Sequence, residues 1–325
     1  MNAIQVSKEI KAMQLTQYGE VEESVGTEMV IRPEVSADEI LIKVVASSIN
    51  PVDWKVTKGE LQEMMPLVLP ITLGWDVAGE VVGVGQDVTQ FVVGDNVYGM
   101  PEIGKDGAFA EYVAVKAAHM ASAPKSIALI EAAAYPLAAQ TAWQGMFDGG
   151  QLREGQRVLI HAGAGGVGHL AIQFAKAKGA TVITTTSERN REFVQQLGAD
   201  EVIDYHHQDV AQVLADNPVD LVFDTLGGRA QEASWSVIKP QGRLVTILGF
   251  DDKAPELAQK HQVQSEHIFV HSNPGQLKAI GELVDSGRVK VEIQQHFTLD
   301  QVPQALALSE AGRVRGKLVV KVSEA

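Results

Sequence analysis

Apolar positions in the first third of the chain fall in short runs broken by Gly, Pro and Asp. Residues 40–46, 77–84, 96–99 and 109–115 are rich in β-branched and apolar side chains, a pattern that predicts strands. A further strand is expected at 11–17, preceded by a ten-residue extension. The texture changes near 124–134. From about Arg157 the chain alternates strand, turn, helix, strand: residues 158–161 read as a buried strand, and Val167, Leu170, Ala171, Phe174 and Ala175 share one helical face. The alternation continues through strands at 181–185, 201–204, 221–224 and 243–248. Helices carrying Phe193, Val194 and Leu197, then Val210, Val213 and Leu214, separate the first three. Such a succession builds a doubly wound parallel sheet. After Gly287, residues 289–293 and 316–322 again read as strands. The expected fold class is α/β, with residues 1–128 and 288–325 forming a β-barrel-like domain into which a doubly wound domain, 129–287, is inserted.

Composition narrows the chemistry. The 325 residues include no cysteine, which removes thiolate nucleophiles, disulfides and every cysteine-ligated metal centre. Acidic residues outnumber basic ones by 41 to 27, so the formal charge of −14 disfavours nucleic acid and anionic membranes as partners. No apolar run approaches the roughly 18 residues of a membrane span, and the first residues lack an apolar signal segment; a cytoplasmic location is expected. The nine histidines show no metal-ligand spacing.

One motif carries a specific expectation. Gly163-Ala164-Gly165-Gly166-Val167-Gly168 follows a strand and opens an apolar-periodic helix, the setting in which G-x-G-x-x-G binds a dinucleotide. Glycine at 163 and 165 permits a tight turn and close approach to a pyrophosphate. Gly168 permits close packing of helix on strand, and the helix N-terminus offers N–H groups to the anion. NAD-preferring sites end the next strand with a carboxylate. Here the chain runs Thr184-Thr185-Thr186-Ser187-Glu188-Arg189, which suits the 2′-phosphate of NADPH, with Ser187 and Arg189 as its expected ligands and Glu188 discordant.

Read together with Ser48-Ile49-Asn50-Pro51-Val52-Asp53, Gly74-Trp75-Asp76-Val77-Ala78-Gly79, Gly94-Asp95-Asn96-Val97-Tyr98-Gly99, Gly107-Ala108-Phe109-Ala110-Glu111-Tyr112, Leu197-Gly198-Ala199-Asp200 and Arg313-Val314-Arg315-Gly316-Lys317, the glycine motif resembles the quinone oxidoreductase branch of the medium-chain dehydrogenase/reductase superfamily. The resemblance covers nearly the whole chain and implies a Rossmann domain inserted in a GroES-like catalytic domain. Zinc-dependent relatives place Cys, His and Cys or Asp where this chain has Asn50, Trp75 and Leu137, so the resemblance implies a zinc-independent enzyme. It also implies further cofactor contacts: Tyr205 beside the 2′-phosphate, Thr141 by the nicotinamide ribose, the backbones of Leu248 and Gly249 at the carboxamide, and Arg315 with Lys317 on the phosphates.

The segment Asn50-Pro51-Val52-Asp53-Trp54-Lys55 is similar to the alkenal and enone reductases, in which a lysine faces the substrate oxygen. Reducing an activated C=C bond places negative charge on a carbonyl oxygen, and Asn50 and Lys55 are the candidate donors to it. The expected function is NADPH-dependent reduction of quinones or α,β-unsaturated carbonyls. A zinc-independent aldehyde or ketone reductase and a non-catalytic NADPH-binding sensor are the alternatives. A strand expected at 267–270 on the edge of the cofactor sheet suggests a homodimer.

Overall fold

The computed structural model describes residues 8–323. Residues 1–7, most of the expected extension, lie outside the described residues. Strand β1 (Glu9–Leu15) starts two positions before the expected 11–17, because Ile10 and Ala12 already face inward against Ala110. It pairs antiparallel with β2 (Val25–Ile31) and, through its end, with β4 (Ile71–Thr72). Strand β3 (Glu39–Ile49) is buried along almost its entire length. Its Ile40, Ile42 and Val44 pack with residues of β5 (Val77–Val84), β6 (Asn96–Gly99) and β7 (Tyr112–Lys116), together with Phe91, Ala108 and Met120. β7 begins three residues after the expected 109. β8 (Met120–Ser122) closes this stretch.

The chain then builds a six-stranded sheet from β9 (Arg157–Ile160), β10 (Thr181–Thr186), β11 (Glu201–Asp204), β12 (Val219–Asp224), β13 (Ile238–Thr246) and β14 (Gln264–His267). Its order is β11-β10-β9-β12-β13-β14, with every pairing parallel. The order reverses beside β9, which puts the β9 and β12 turns at the point where such sheets bind ligands. Leu159, Ile183, Ile203, Val222 and Leu244 form the core with Leu214, Trp235 and Val237. The helix Gly168–Ala177 buries Leu170, Ala171, Phe174 and Ala175, the face read from their spacing. The edge strand lies at Gln264–His267 and not at 267–270. All four of its side chains are exposed, so it forms by backbone pairing with β13 and carries no apolar signal.

The last two strands are β15 (Ile293–Thr298) and β16 (Lys317–Lys321). β15 replaces the strand expected at 289–293 and buries only Phe297, again leaving little apolar pattern to read. Both join the earlier barrel strands in the order β15-β16-β3-β5-β6-β8, with β7 also on β3. Contacts divide the chain into two compact units. One runs to Leu137 and adds Ser272–Asp285 and the chain from Ile293; the other is Ala138–His271 with Ser286–Glu292. The helix Pro274–Asp285, counted by sequence within 129–287, thus groups with the β-rich unit. There the Tyr98 hydroxyl donates to the Leu277 carbonyl, and Asp285 accepts from the Lys125 and Ser126 N–H groups.

Among the described residues no helix is long and apolar enough to cross a membrane.

Candidate functional site

In the second unit the glycine turn leaves β9 and enters the helix Gly168–Ala177. A Cβ on Gly163 would lie 2.0 Å from Thr184 Oγ1, and one on Gly168 2.3 Å from the Ala162 carbonyl, so neither position admits a side chain. At Gly165 a Cβ would meet only the Ala162 carbonyl, at 3.3 Å. Gly165, Gly166 and Val167 are half-buried and form the open side of the turn. A half-buried glycine turn that opens a helix is the type of backbone to which a pyrophosphate can be bound.

The turn is held from beneath by residues that the motif does not include. Ala162 N–H donates to Thr185 Oγ1, and Gly163 N–H to the Thr185 carbonyl. Thr185 Oγ1 also lies 3.2 Å from His161 Nδ1, while His161 Nε2 is 2.8 Å from Ser234 Oγ. Ser234 gives its proton to the Ala230 carbonyl, so His161 donates from Nε2 and accepts at Nδ1. Burial lowers the His161 pKa, which keeps this neutral tautomer in place.

Register brings the expected 2′-phosphate ligands together. Thr186 on β10 pairs with Asp204 on β11, so Ser187 and Tyr205 emerge side by side just past the two strand ends. Tyr205 is 57% exposed and leans on the His206 ring. Arg189 is exposed in the following turn. The discordant Glu188 forms an exposed ion pair with Arg191 at 2.8 Å. Asp204 is likewise turned to its own loop, where hydrogen bonds from the His207 ring and the His206 N–H hold its pKa below the ordinary carboxylate value.

Thr141 is buried on the helix Pro136–Trp143. Leu248 is 45% exposed just past β13, and Gly249 follows with φ +85°. The Leu248 N–H donates to Thr246 Oγ1 and the Gly249 carbonyl accepts from Gln231. Arg315, in the first unit, has an exposed side chain while its N–H is fixed by Gln294.

Within the first unit, two expectations are corrected. Lys317 was expected on the cofactor phosphates, but its side chain is only 3% exposed, and its ammonium donates to the Ile49 carbonyl and to Asn50 Oδ1, 3.5 Å from Asp76 Oδ2. Asn50 was expected to donate to a substrate oxygen. Its amide instead gives one bond to Asp76 Oδ2 at 2.6 Å and another to the Ser48 carbonyl, with its own oxygen taken by Lys317. Asp76 completes the network by accepting from Ser48 Oγ and from the Leu137 N–H. Asn50 is therefore an anchor at the start of the helix Pro51–Thr57. Lys55, on that helix, is half-buried with its ammonium 5.6 Å from the Trp54 ring centroid, and no carboxylate pairs with it among the described residues.

The residues do not fit a catalytic zinc ion. Asn50 is fully engaged, Trp75 donates its indole N–H to the Lys105 carbonyl, and Leu137 has no donor atom. Among the described residues no group of three His, Asp or Glu side chains is placed to hold a metal.

Two family models match the chain. Residues 36–125 match the alcohol dehydrogenase GroES-like domain and residues 197–320 the zinc-binding dehydrogenase model. The chain is 35% identical to 2-methylene-furan-3-one reductase of Solanum lycopersicum, over 98% of this chain and 80% of that one. It is 34% identical to the chloroplastic NADPH-dependent alkenal/one oxidoreductase of Arabidopsis thaliana, over 97% and 80%. The solved quinone oxidoreductase of Coxiella burnetii superposes with a TM-score of 0.90 at 36% identity, over 97% of this chain and 100% of that one.

Lys317→Met should lower the stability measured by urea unfolding by about 3–5 kcal/mol, because it leaves Asp76 buried without its cation. A loss below about 1 kcal/mol, as for an exposed pair, together with weaker NADPH binding, would place the ammonium on the cofactor instead.

Proposed function

The chain belongs to the medium-chain dehydrogenase/reductase superfamily and is an oxidoreductase, and from that premise we propose that it is an NADPH-dependent reductase of α,β-unsaturated ketones and aldehydes, with quinones as secondary substrates. The observation that carries the reading is Lys55: a half-buried ammonium on the helix Pro51–Thr57 with no carboxylate partner among the described residues. A cation left unpaired in this way has its charge available for a substrate oxygen. The names of the tomato and Arabidopsis relatives point to the same substrate class.

When bound, NADPH supplies the hydride. The glycine turn of 163–168 holds its pyrophosphate by backbone N–H groups, and Ser187, Arg189 and Tyr205 recognise the 2′-phosphate by two hydroxyls and a guanidinium. Thr141, Leu248, Gly249 and Arg315 are the further proposed contacts. Lys55 stabilises the negative charge that gathers on the carbonyl oxygen as the β-carbon is reduced, and water protonates the α-carbon. The Asn50–Asp76–Lys317 network fixes the helix from which Lys55 projects.

The same reading includes a cytoplasmic location and a homodimer formed by antiparallel pairing of β14, whose outer edge ends the cofactor sheet. Light scattering at micromolar concentration should give the dimer mass; a single species of monomer mass would rule out the dimer.

NADPH oxidation should accompany turnover of a simple enone and an alkenal, and Lys55→Ala should lower kcat for both by roughly 100-fold, the usual cost of removing one oxyanion donor. Turnover of quinones alone, indifferent to Lys55, would make the chain a quinone reductase of another mechanism. Binding of NADPH with no turnover of either class would favour a sensor. For the cofactor, Arg189→Ala should weaken NADPH binding about tenfold or more and leave NADH unaffected, as expected for a lost charge-assisted contact; equal effects on both would refute the assignment.

A further inference from the structure

The helix Pro51–Thr57 begins on a buried acid that the proposed reaction does not use. Asp53 is fully buried. Its Oδ2 accepts the Asn50 N–H at 2.7 Å, which closes the first turn of the helix, but its Oδ1 has no hydrogen-bond partner. The groups facing it are Asp76, from the segment before β5, and Lys317, from β16. On the outer side of the same helix, Lys58 is occupied by Glu310 and Glu20. The buried group therefore holds two carboxyls and one ammonium, and that ammonium is bonded to Asn50 and leans toward Asp76. An ionised Asp53 would leave one negative charge uncompensated in the interior, with an oxygen lacking any donor, which is the arrangement proteins avoid.

We propose that Asp53 is a positioning residue that works as a neutral acid: its protonated carboxyl lets Lys317 balance Asp76 alone, and so holds the first turn of the helix that presents Lys55. The proposal rests on the assignment of Lys55 under Proposed function for its catalytic consequence, but not for the state of the acid. Burial supports it, pushing the Asp53 pKa up to about 8; the negative charge of Asp76 adds to this, against the pull of the Asn50 N–H, Lys317 and, least, the Gly74 N–H.

Between the ordinary value of 3.8 and about 8, the folded chain keeps a proton that the unfolded chain has lost. This group's contribution to stability therefore falls as pH rises through that window and is constant above it. Asp53→Asn retains the shape and the acceptor of the neutral acid and abolishes the titration. The melting temperature of Asp53→Asn minus that of the wild type should thus widen by several degrees between about pH 5 and about pH 8.5.

A second readout follows the helix itself. Trp54 is next to Asp53, with its indole N–H buried and unpartnered and its ring under Lys55. The Trp54 emission, taken as wild type minus Trp54→Phe, should show a step centred near the Asp53 pKa of about 8, and Asp53→Asn should lack it. The kcat/KM for an enone should decline over the same range in the wild type and not in Asp53→Asn.

A melting difference that is flat with pH would mean that Asp53 is ionised in the folded chain and would overturn the proposal. A difference that widens while the emission step persists in Asp53→Asn would leave a protonated acid with a merely structural role, and would overturn its positioning one. If Asp53→Asn does not fold, a wild-type emission titration without a step near the Asp53 pKa overturns the proposal by itself. Absence of reductase turnover would refute the functional reading, while the melting and emission results still decide the state of Asp53.

Discussion

Asp76 and Lys317 meet in an interior that solvent does not reach, separated by 3.5 Å and by 241 positions of sequence, and the first unit is arranged around keeping them satisfied. Neither charge can be left alone there, because removing either partner leaves an uncompensated buried ion. Asp76 accepts from Ser48, Asn50 and the Leu137 backbone; Lys317 donates to Ile49 and Asn50. These bonds tie the end of β3, the segment before β5, the start of β16 and the first turn of the helix Pro136–Trp143 into one cluster. The helix Pro51–Thr57 grows directly out of that cluster, so the position of Lys55 is inherited from a buried electrostatic requirement. The three positions that the family resemblance matches to the metal ligands of zinc-dependent relatives hold an engaged amide, an indole and an isobutyl group, and a protein cation sits beside the first of them.

The second unit solves a different problem by the same means. A glycine turn that must stay open for an anion has no side chains of its own to hold it. Its rigidity comes from Thr185 and, behind that, from a neutral histidine whose two ring nitrogens are both committed. On the neighbouring strand β12, Asp224 has the equivalent role. It accepts from the Leu226 and Gly227 N–H groups, Gln231 and Thr246, and Gln231 reaches on to the Gly249 carbonyl. The exposed turns that are proposed to touch the cofactor thus rest on buried polar groups with their bonds satisfied, the condition for a site that keeps its shape.

What the sequence made legible was what local patterning encodes. The glycine motif carries its context in a dozen residues, and β5 and β6 are legible at their observed limits because their apolar runs end in Gly and Asp turns. The proximity of Ser187 and Tyr205 was implied by family resemblance and has its physical cause in the β10–β11 register. The failures also have causes. β14 and β15 are edge strands made by backbone pairing, with polar side chains outward, so periodicity could not mark them. Lys317 looks like a surface lysine in any local window, and its partners Asn50 and Asp76 lie more than 200 positions away. Asn50 suggested a donor because an amide has that capacity; only the fold reveals that the capacity is spent. The missing partner of Asp53 Oδ1 is likewise a property of the fold that no local window shows.

The Lys317 ammonium and its hydrogen bonds hold the start of the helix that carries Lys55, and the proposed reaction needs no metal ion there. The direct measurement is enone reduction with NADPH by protein exhaustively treated with chelator, with metal content determined on the same sample. Undiminished turnover at substoichiometric metal is the predicted result. Loss of activity on chelation, restored by added zinc, would mean that the reaction depends on a metal ion.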